Sequence, residues 1–565
     1  MDRLKKIYVL ITLFCNFLNF AQINNSAVAE TIFISTNATT FVSGENLLYK
    51  INCLNTSNKK TSDLSKVAYI KLLSSKKEEI FTNTLFLKNG VFYSDFFIDS
   101  KLPTGIYKLI AYTNWMMNNK INKFSELEIY VINPFQPLDI VKNNPEIIET
   151  SKKVSLISTL NQNYKFALNK KQFGNREKVD LSLVSKNLQK GNYTLSIRKK
   201  EELPLIQTST SSEFLNNIVP EQINYLENNI ELPELRGELI SGKIGNKTNP
   251  TEIANKTVTL SISGKDLQVK VVKTNKIGKF IFNIDKHHSS SNLVIQVLES
   301  NKEDFTITLD SKKNPDLTNI VYLNPPILSE NYTKKLEEHS IANQIENAYY
   351  SKKMDSLMKN SNNYNFYEPW QKTYILDDYT RFPTLAETIT EIIFEMYYTK
   401  NKDNYTIGLR DFNVLTQVPE PALVMVDGLI IQDLKELFEY KMSNVYKIST
   451  IQGGYFLGSN VFNGIINIST KKFDFTSNLA GSFLMNLNLQ PTTFTKKYYE
   501  PNYLDKSKSN RIPDYRYQLL WEPNFDIENP ISFYTSDIKG VFEIILDGYT
   551  DDGIPVHSIE GFEVK

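Results

Sequence analysis

The sequence predicts a mainly β protein, made of several β-sandwich domains and one small α+β unit. Two observations predict this. Alternation of apolar and polar residues at strand period recurs from residue 30 to the C-terminal end, broken by Gly, Pro and Asn turn signals. The 565 residues are 41% hydrophobic and 12% aromatic, enough for several separate cores at about 150 residues per domain. Beyond Cys15 only Cys53 remains, so no intrachain disulfide is possible and each domain must stand on its own core. A formal net charge of +1 argues against nucleic acid or an anionic membrane face as the main partner.

At the N-terminus Lys5 and Lys6 precede an apolar core, Ile7 to Phe20, too short for a dependable membrane span. Ala21-Gln22 offers a cleavage point, with a rival after Ala29 in Ala27-Val28-Ala29. Residues 1–21 read as a secretory signal peptide, placing the chain in the cell envelope, periplasmic or associated with the outer membrane. Cys15 follows Phe14 where lipidation wants a small residue. No apolar run of spanning length follows residue 21, so no transmembrane helix is expected and any membrane association is peripheral.

Along the chain, residues 30–136 read as a first sandwich. Val67-Ala68-Tyr69-Ile70-Lys71-Leu72 alternates as a strand, and Lys88-Asn89-Gly90 marks a hairpin between Leu85-Phe86-Leu87 and Val91-Phe92-Tyr93. A second sandwich is expected over 150–230, with Val179 to Val184 and Tyr193 to Ile197 as strands. A third spans 236–310, through Leu239 to Ile244, Val258 to Leu260 and the hairpin Thr274 to Phe282. Residues 327–360 read as a helical linker, with a charged, weakly amphipathic helix from Tyr332 to Met358. The α+β unit occupies 375–475, and 476–565 read as a C-terminal sandwich.

The α+β unit is the most legible part. Ala422 to Val426 is an apolar strand stopping at Asp427-Gly428, which turns readily because Gly accepts positive φ. Asp433 can cap a short helix carrying Leu434, Leu437 and Phe438, and Val445 to Ile451 alternates as a strand. Gly453-Gly454, Gly458 and Asn463-Gly464 form a glycine loop before a last strand at Ile465, Ile466 and Ile468. This order, with Val426-Asp427-Gly428 and the run from Asn463 to Lys471, resembles the plug domain of TonB-dependent outer-membrane receptors. Asn444 and Leu457-Gly458 depart from that family, which has an acidic residue and Tyr-Gly there.

Other stretches carry further resemblances. Leu102-Pro103-Thr104-Gly105-Ile106-Tyr107 and the strand running on to Trp115 resemble the last strand of macroglobulin MG2-type domains in exported Bacteroidetes proteins. Residues 236–310 are similar to the carboxypeptidase-regulatory, transthyretin-like domain. Pro513-Asp514-Tyr515-Arg516 and Phe533-Tyr534-Thr535-Ser536-Asp537 resemble the closing sandwich of the same multidomain proteins.

A receptor barrel needs roughly twenty-two strands of about 10 residues each, and residues 476–565 are too few to make one. The resemblance therefore implies a plug-like unit that is either a free-standing recognition module or one that docks on another protein's barrel, with Asp427, Gly428, Gly453, Gly454, Gly458, Asn463 and Gly464 as the candidate docking loop. Catalytic chemistry finds no support. His557-Ser558-Ile559-Glu560 matches a zinc H-x-x-E, but in a strand positions i and i+3 point to opposite faces. His287-His288 reads as a solvated turn, and Cys53, with no Gln at thioester offset, as a small buried apolar residue. No G-x-S-x-G, P-loop or G-x-G-x-x-G occurs. Trp115, Trp370 and Trp521 could stack on sugars, though core packing suits each better. The expectation is a non-enzymatic envelope scaffold, without cofactor or metal, serving an outer-membrane transport, secretion or barrel-assembly complex and binding a β-barrel partner. The alternative is a peptide-directed enzyme or protease inhibitor.

Overall fold

The computed structural model describes residues 26–121, 123–141, 164–185, 188–224, 230–358, 370–402, 404–410, 421–458, 460–504 and 511–565. The expected signal peptide lies outside them. Strands dominate, as the alternation predicts, and they pack in pairs of sheets plus one sheet covered by helices. No helix among the described residues is long and apolar enough to cross a membrane.

The first sandwich pairs a three-stranded sheet of Glu30–Thr36, Asn46–Asn55 and Val91–Phe97 with a five-stranded one containing Val67–Ser74, Glu79–Phe86, Gly105–Tyr112 and Ser125–Ile132. Phe41, Tyr49, Cys53, Ile70 and Leu109 fill the space between them. The expected hairpin at Lys88-Asn89-Gly90 is a turn, with φ of 51° and 71° at Asn89 and Gly90. Its two flanking strands nevertheless lie in different sheets, paired with Val67–Ser74 and Asn46–Asn55. The turn is a corner of the sandwich because both flanks are apolar on the face that meets the core.

The second and last expected sandwiches are one structure. Gly191–Lys199 lies between Gly540–Thr550 and Gln518–Phe525, and Lys178–Ser185 pairs with Ile531–Tyr534. Leu195, Ile197, Phe533, Phe542, Ile544 and Phe562 share one core. Neither half could bury its apolar face alone, since a sheet needs a covering layer. Pairing between chain segments this distant leaves no local pattern.

The third sandwich, around Glu238–Asn246, Thr257–Ile262, Gln268–Lys273 and Asn292–Val297, also borrows a strand. Leu484–Asn488, expected in the C-terminal sandwich, adds to its edge beside Asn292–Val297, and Phe483 enters its core. His287-His288, expected as a solvated turn, is packed instead. The His287 ring lies 5.0 Å from that of Phe86 and 4.6 Å from that of Phe494, and His288 has no exposed surface. Burial pushes both imidazoles down from their ordinary value.

The helix is shorter than the sequence suggests, Thr333–Ala348. It buries Leu336, His339, Ala342 and Asn343, and joins the first sandwich to the split one. His339 Nε2 meets Glu45 at 2.9 Å while its ring stacks on Tyr517 at 3.9 Å. Arg198 donates to the same Glu45 carboxylate at 2.8 Å. Burial alone would raise Glu45, but Arg198, His339 and the Val42 N–H hold its carboxyl down to about 2. Lys50 makes a second junction. Its strand is buried on both faces, and its ammonium donates to the carbonyls of Tyr193 and Pro523 at 3.1 and 2.5 Å. Burial pushes that amine down to about 7, against the pull of Asp547 and Glu522.

Candidate interaction site

The α+β unit is a five-stranded sheet in the order Lys372–Ile375, Val445–Leu457, Asn460–Thr470, Leu423–Val426, Leu429–Ile430. Leu423–Val426 runs parallel to Asn460–Thr470, a crossover the helix Lys435–Glu439 makes possible. Asp433 Oδ1 accepts from the Lys435 N–H at 3.0 Å, just ahead of that helix. A second helix, Leu385–Glu391, opens on a capping box in which Thr384 and Glu387 satisfy each other's backbone N–H groups. One face of the sheet, with Val424, Val426, Ile448, Ile466 and Ile468, packs under these helices.

The expected glycine loop is not a loop. Val445–Leu457 and Asn460–Thr470 form one long hairpin that continues through the glycines. A register shift between Ile451 and Gly454 absorbs the extra residues, with Gly453 at φ 83°. A bulge with a left-handed glycine lets pairing resume beyond it.

The opposite face of the sheet is covered by the third sandwich. Leu423, Met425, Ile430, Leu457, Phe462 and Ile465 form a buried cluster with Leu267, Val269 and Val271. Polar bonds complete the seam: Gln296 donates to the Ile430 carbonyl at 2.9 Å, and Gly264 N–H to that of Asp427 at 3.0 Å. Two glycines exist for this approach. A Cβ on Gly428 would lie 2.6 Å from Leu267 Cβ, and one on Gly458 would lie 2.3 Å from the Val271 carbonyl oxygen. Both have positive φ, 86° and 59°.

The candidate docking residues therefore divide. Asp427 is fully buried, and its carboxylate accepts from the Thr470 N–H and hydroxyl at 2.8 and 2.6 Å and from the Phe475 N–H. Burial raises this carboxyl, and those donors oppose the shift. Gly428 and Gly458 face the third sandwich, while Gly453, Asn463 and Gly464 lie within the hairpin ladder and Gly454 is exposed. What the sequence reading missed is the residue between them. Phe456, on the distal part of the hairpin, is 76% exposed, beside partly buried Tyr455 and Val461. The signal was present as Gly454-Tyr455-Phe456, an aromatic pair in a glycine-flanked turn region.

Among the described residues no group of three or more His, Cys, Asp and Glu side chains gathers as metal ligands would. His557 lies in the strand Pro555–Val564, its Nδ1 3.2 Å from Asp547. Trp115 is fully buried and donates to the Val28 carbonyl at 3.0 Å.

No protein-family model matches the chain, and no curated protein does. Among solved structures it is similar to Salmonella alpha-2-macroglobulin reacted with methylamine, at 10% identity and a TM-score of 0.23, over 97% of this chain and 40% of that one. Escherichia coli alpha-2-macroglobulin activated by porcine elastase gives 10% identity and a TM-score of 0.23, over 95% and 44%. Dimeric latent PorU from Porphyromonas gingivalis gives 11% and 0.15, over 51% and 34%. The chain thus spans less than half the length of the macroglobulins it matches.

Proposed function

We propose that this chain is a non-enzymatic scaffold of the cell envelope that engages an outer-membrane β-barrel through the far end of the hairpin Val445–Thr470. The observation that carries the reading is Phe456, a large aromatic held out from a sheet whose two faces are both buried. Exposed aromatics on a rigid support lose little entropy on binding and dominate interface energies. The plug-like order of elements supports a barrel as the partner. Two of the glycines first read as a docking loop, Gly428 and Gly458, serve the contact with the third sandwich, and we place the docking surface at the exposed aromatic of the hairpin's distal part.

The test is copurification from detergent-solubilised envelopes. Phe456→Ser should leave the melting temperature unchanged and remove the barrel protein that accompanies the parent chain, a loss of about 2 kcal/mol or more for a central aromatic anchor. Full retention of the partner by Phe456→Ser would overturn the reading. Peptidase and protease-inhibition assays on the same purified chain address the alternative, and turnover or inhibition at stoichiometric protein would favour it.

A further inference from the structure

The first and third sandwiches meet across a polar seam built around two buried carboxylates. Glu234, in the segment that leads into the third sandwich, is 1% exposed, and Glu238, which opens the strand Glu238–Asn246, is 2% exposed. The first sandwich grips Glu234 twice. The Lys66 N–H donates to its backbone carbonyl at 2.7 Å, and the Tyr69 hydroxyl donates to its carboxyl at 2.9 Å. From the third sandwich the Leu239 N–H donates to the same carboxyl at 2.9 Å. One ammonium serves the pair: Lys312 bonds Glu238 Oε1 and donates to the Tyr69 hydroxyl oxygen at 3.2 Å. The other Glu238 oxygen is out of solvent and hydrogen-bonded to nothing. Apolar contact comes from Phe86, which packs on the third core and on the His287 ring.

Two carboxylates and one ammonium leave a net negative charge in a buried site, and a proton relieves it. Glu234 is the acid placed to take that proton, because Lys312 lies on Glu238. Burial pushes the Glu234 carboxyl up to about 7; Lys312, the Leu239 N–H and the Tyr69 hydroxyl oppose the rise, and Glu238 adds to it. No other group supplies the missing positive charge. Lys66 turns its ammonium to Asp63, Lys313 holds Glu231 at 2.9 Å, and Arg236 is exposed. Tyr112 stacks on Tyr69 at 5.3 Å, and Glu79, which approaches Tyr112, is bonded by Lys71. His288 faces Glu238 with His287 beside it, and burial keeps both imidazoles low and therefore neutral near pH 7.

We propose that Glu234 is a proton-operated latch: protonated, it holds the third sandwich against the first, and ionised, it lets the two part. Linkage gives the sign. Freed from the seam, Glu234 keeps its proton only below about 4.5, so the closed form binds more protons between about 4.5 and 7, and closure weakens as pH rises through that range. The two histidines act oppositely, since opening would let them charge as pH falls.

Hydrogen exchange of the full-length protein, corrected for the intrinsic pH dependence of amide exchange, reads the latch at the Lys66 and Leu239 amides. Glu234→Gln keeps the histidine contribution and lacks the titration. Relative to that variant, the parent's protection at both amides should fall about tenfold between pH 6 and pH 8, with Gly540–Thr550 unchanged. Lys312→Met removes a half-exposed cation that holds the carboxyl down, and should move the parent's fall to higher pH even if Glu234→Gln fails to fold. Three results would each overturn the proposal: a parent-to-Glu234→Gln ratio that is constant with pH, a parallel loss of protection in Gly540–Thr550, or a fall that Lys312→Met leaves in place.

Discussion

Single residues at the junctions decide how this protein answers to pH. Lys50 is ordinary in sequence, yet its amine is held at about 7 by burial against Tyr193 and Pro523. Since the unfolded chain would keep that proton up to about pH 10.5, it binds more protons than the folded one between about 7 and 10.5. Lys50 should therefore make stability rise with pH across that window, and Lys50→Met should flatten the rise when unfolding is followed by denaturant at each pH. Glu45 acts in the same sense at the acid end, though its shift is stabilising where that of Lys50 is not. Its folded value lies near 2 against 4.5 unfolded, so its contribution is present above about 4.5 and is lost as pH falls toward 2. Glu45→Gln should abolish that acid-side dependence and leave the buried Arg198 only the more distant Glu201, at 4.0 Å, as a counter-charge, lowering stability by about 3 kcal/mol. Gly464 is fixed by geometry rather than charge. At φ 88°, with a Cβ falling 2.4 Å from the Ile451 carbonyl oxygen, Gly464→Val should destabilise by about 1–3 kcal/mol in thermal or chemical unfolding.

At the scale of elements, the hairpin Val445–Thr470 is both a structural and a recognition device. Its distal half supplies Leu457, Phe462 and Ile465 to the seam with Leu267, Val269 and Val271, where each buried aliphatic or aromatic side chain contributes about 1.5–3 kcal/mol. Removing residues 421–472 would uncover that face of the third sandwich, so such a deletion should aggregate or lose cooperativity. Val271→Asp tests the seam directly, because a carboxylate buried there has no partner. It should raise hydrogen exchange in both Gln268–Lys273 and Leu423–Val426 while Asn46–Asn55 keeps its protection. Equal exchange in all three strands would mean that the seam does not couple them.

For the whole molecule, the split sandwich sets the order of assembly. Gly191–Lys199 has Gly540–Thr550 on one side and Gln518–Phe525 on the other, so it waits for the C-terminal end of the chain before pairing. Loop closure across so many residues makes such contacts slow to form. Truncation after residue 516 should therefore unfold 164–199 as well as removing the last strands. Limited proteolysis of the truncated chain should cut within 164–199 and spare Val67–Ser74, whereas protection of 164–199 would show that this half folds alone.

The sequence by itself determined the mainly β class, the first sandwich, and the strand, turn and helix order from Leu423 to Thr470. Those features rest on residues close in the chain: alternation along a strand, Asp427-Gly428 at a turn, and Asp433 ahead of the short helix. It also made Gly428, Gly458 and Gly464 conspicuous without saying what each approached. Tertiary structure alone decided that two predicted sandwiches are one, that Leu484–Asn488 joins the third, and that His287 sits between Phe86 and Phe494. The reason is physical. A strand's pattern records which face is buried but not which distant strand lies beside it, and that choice is made by complementary surfaces when the whole chain packs.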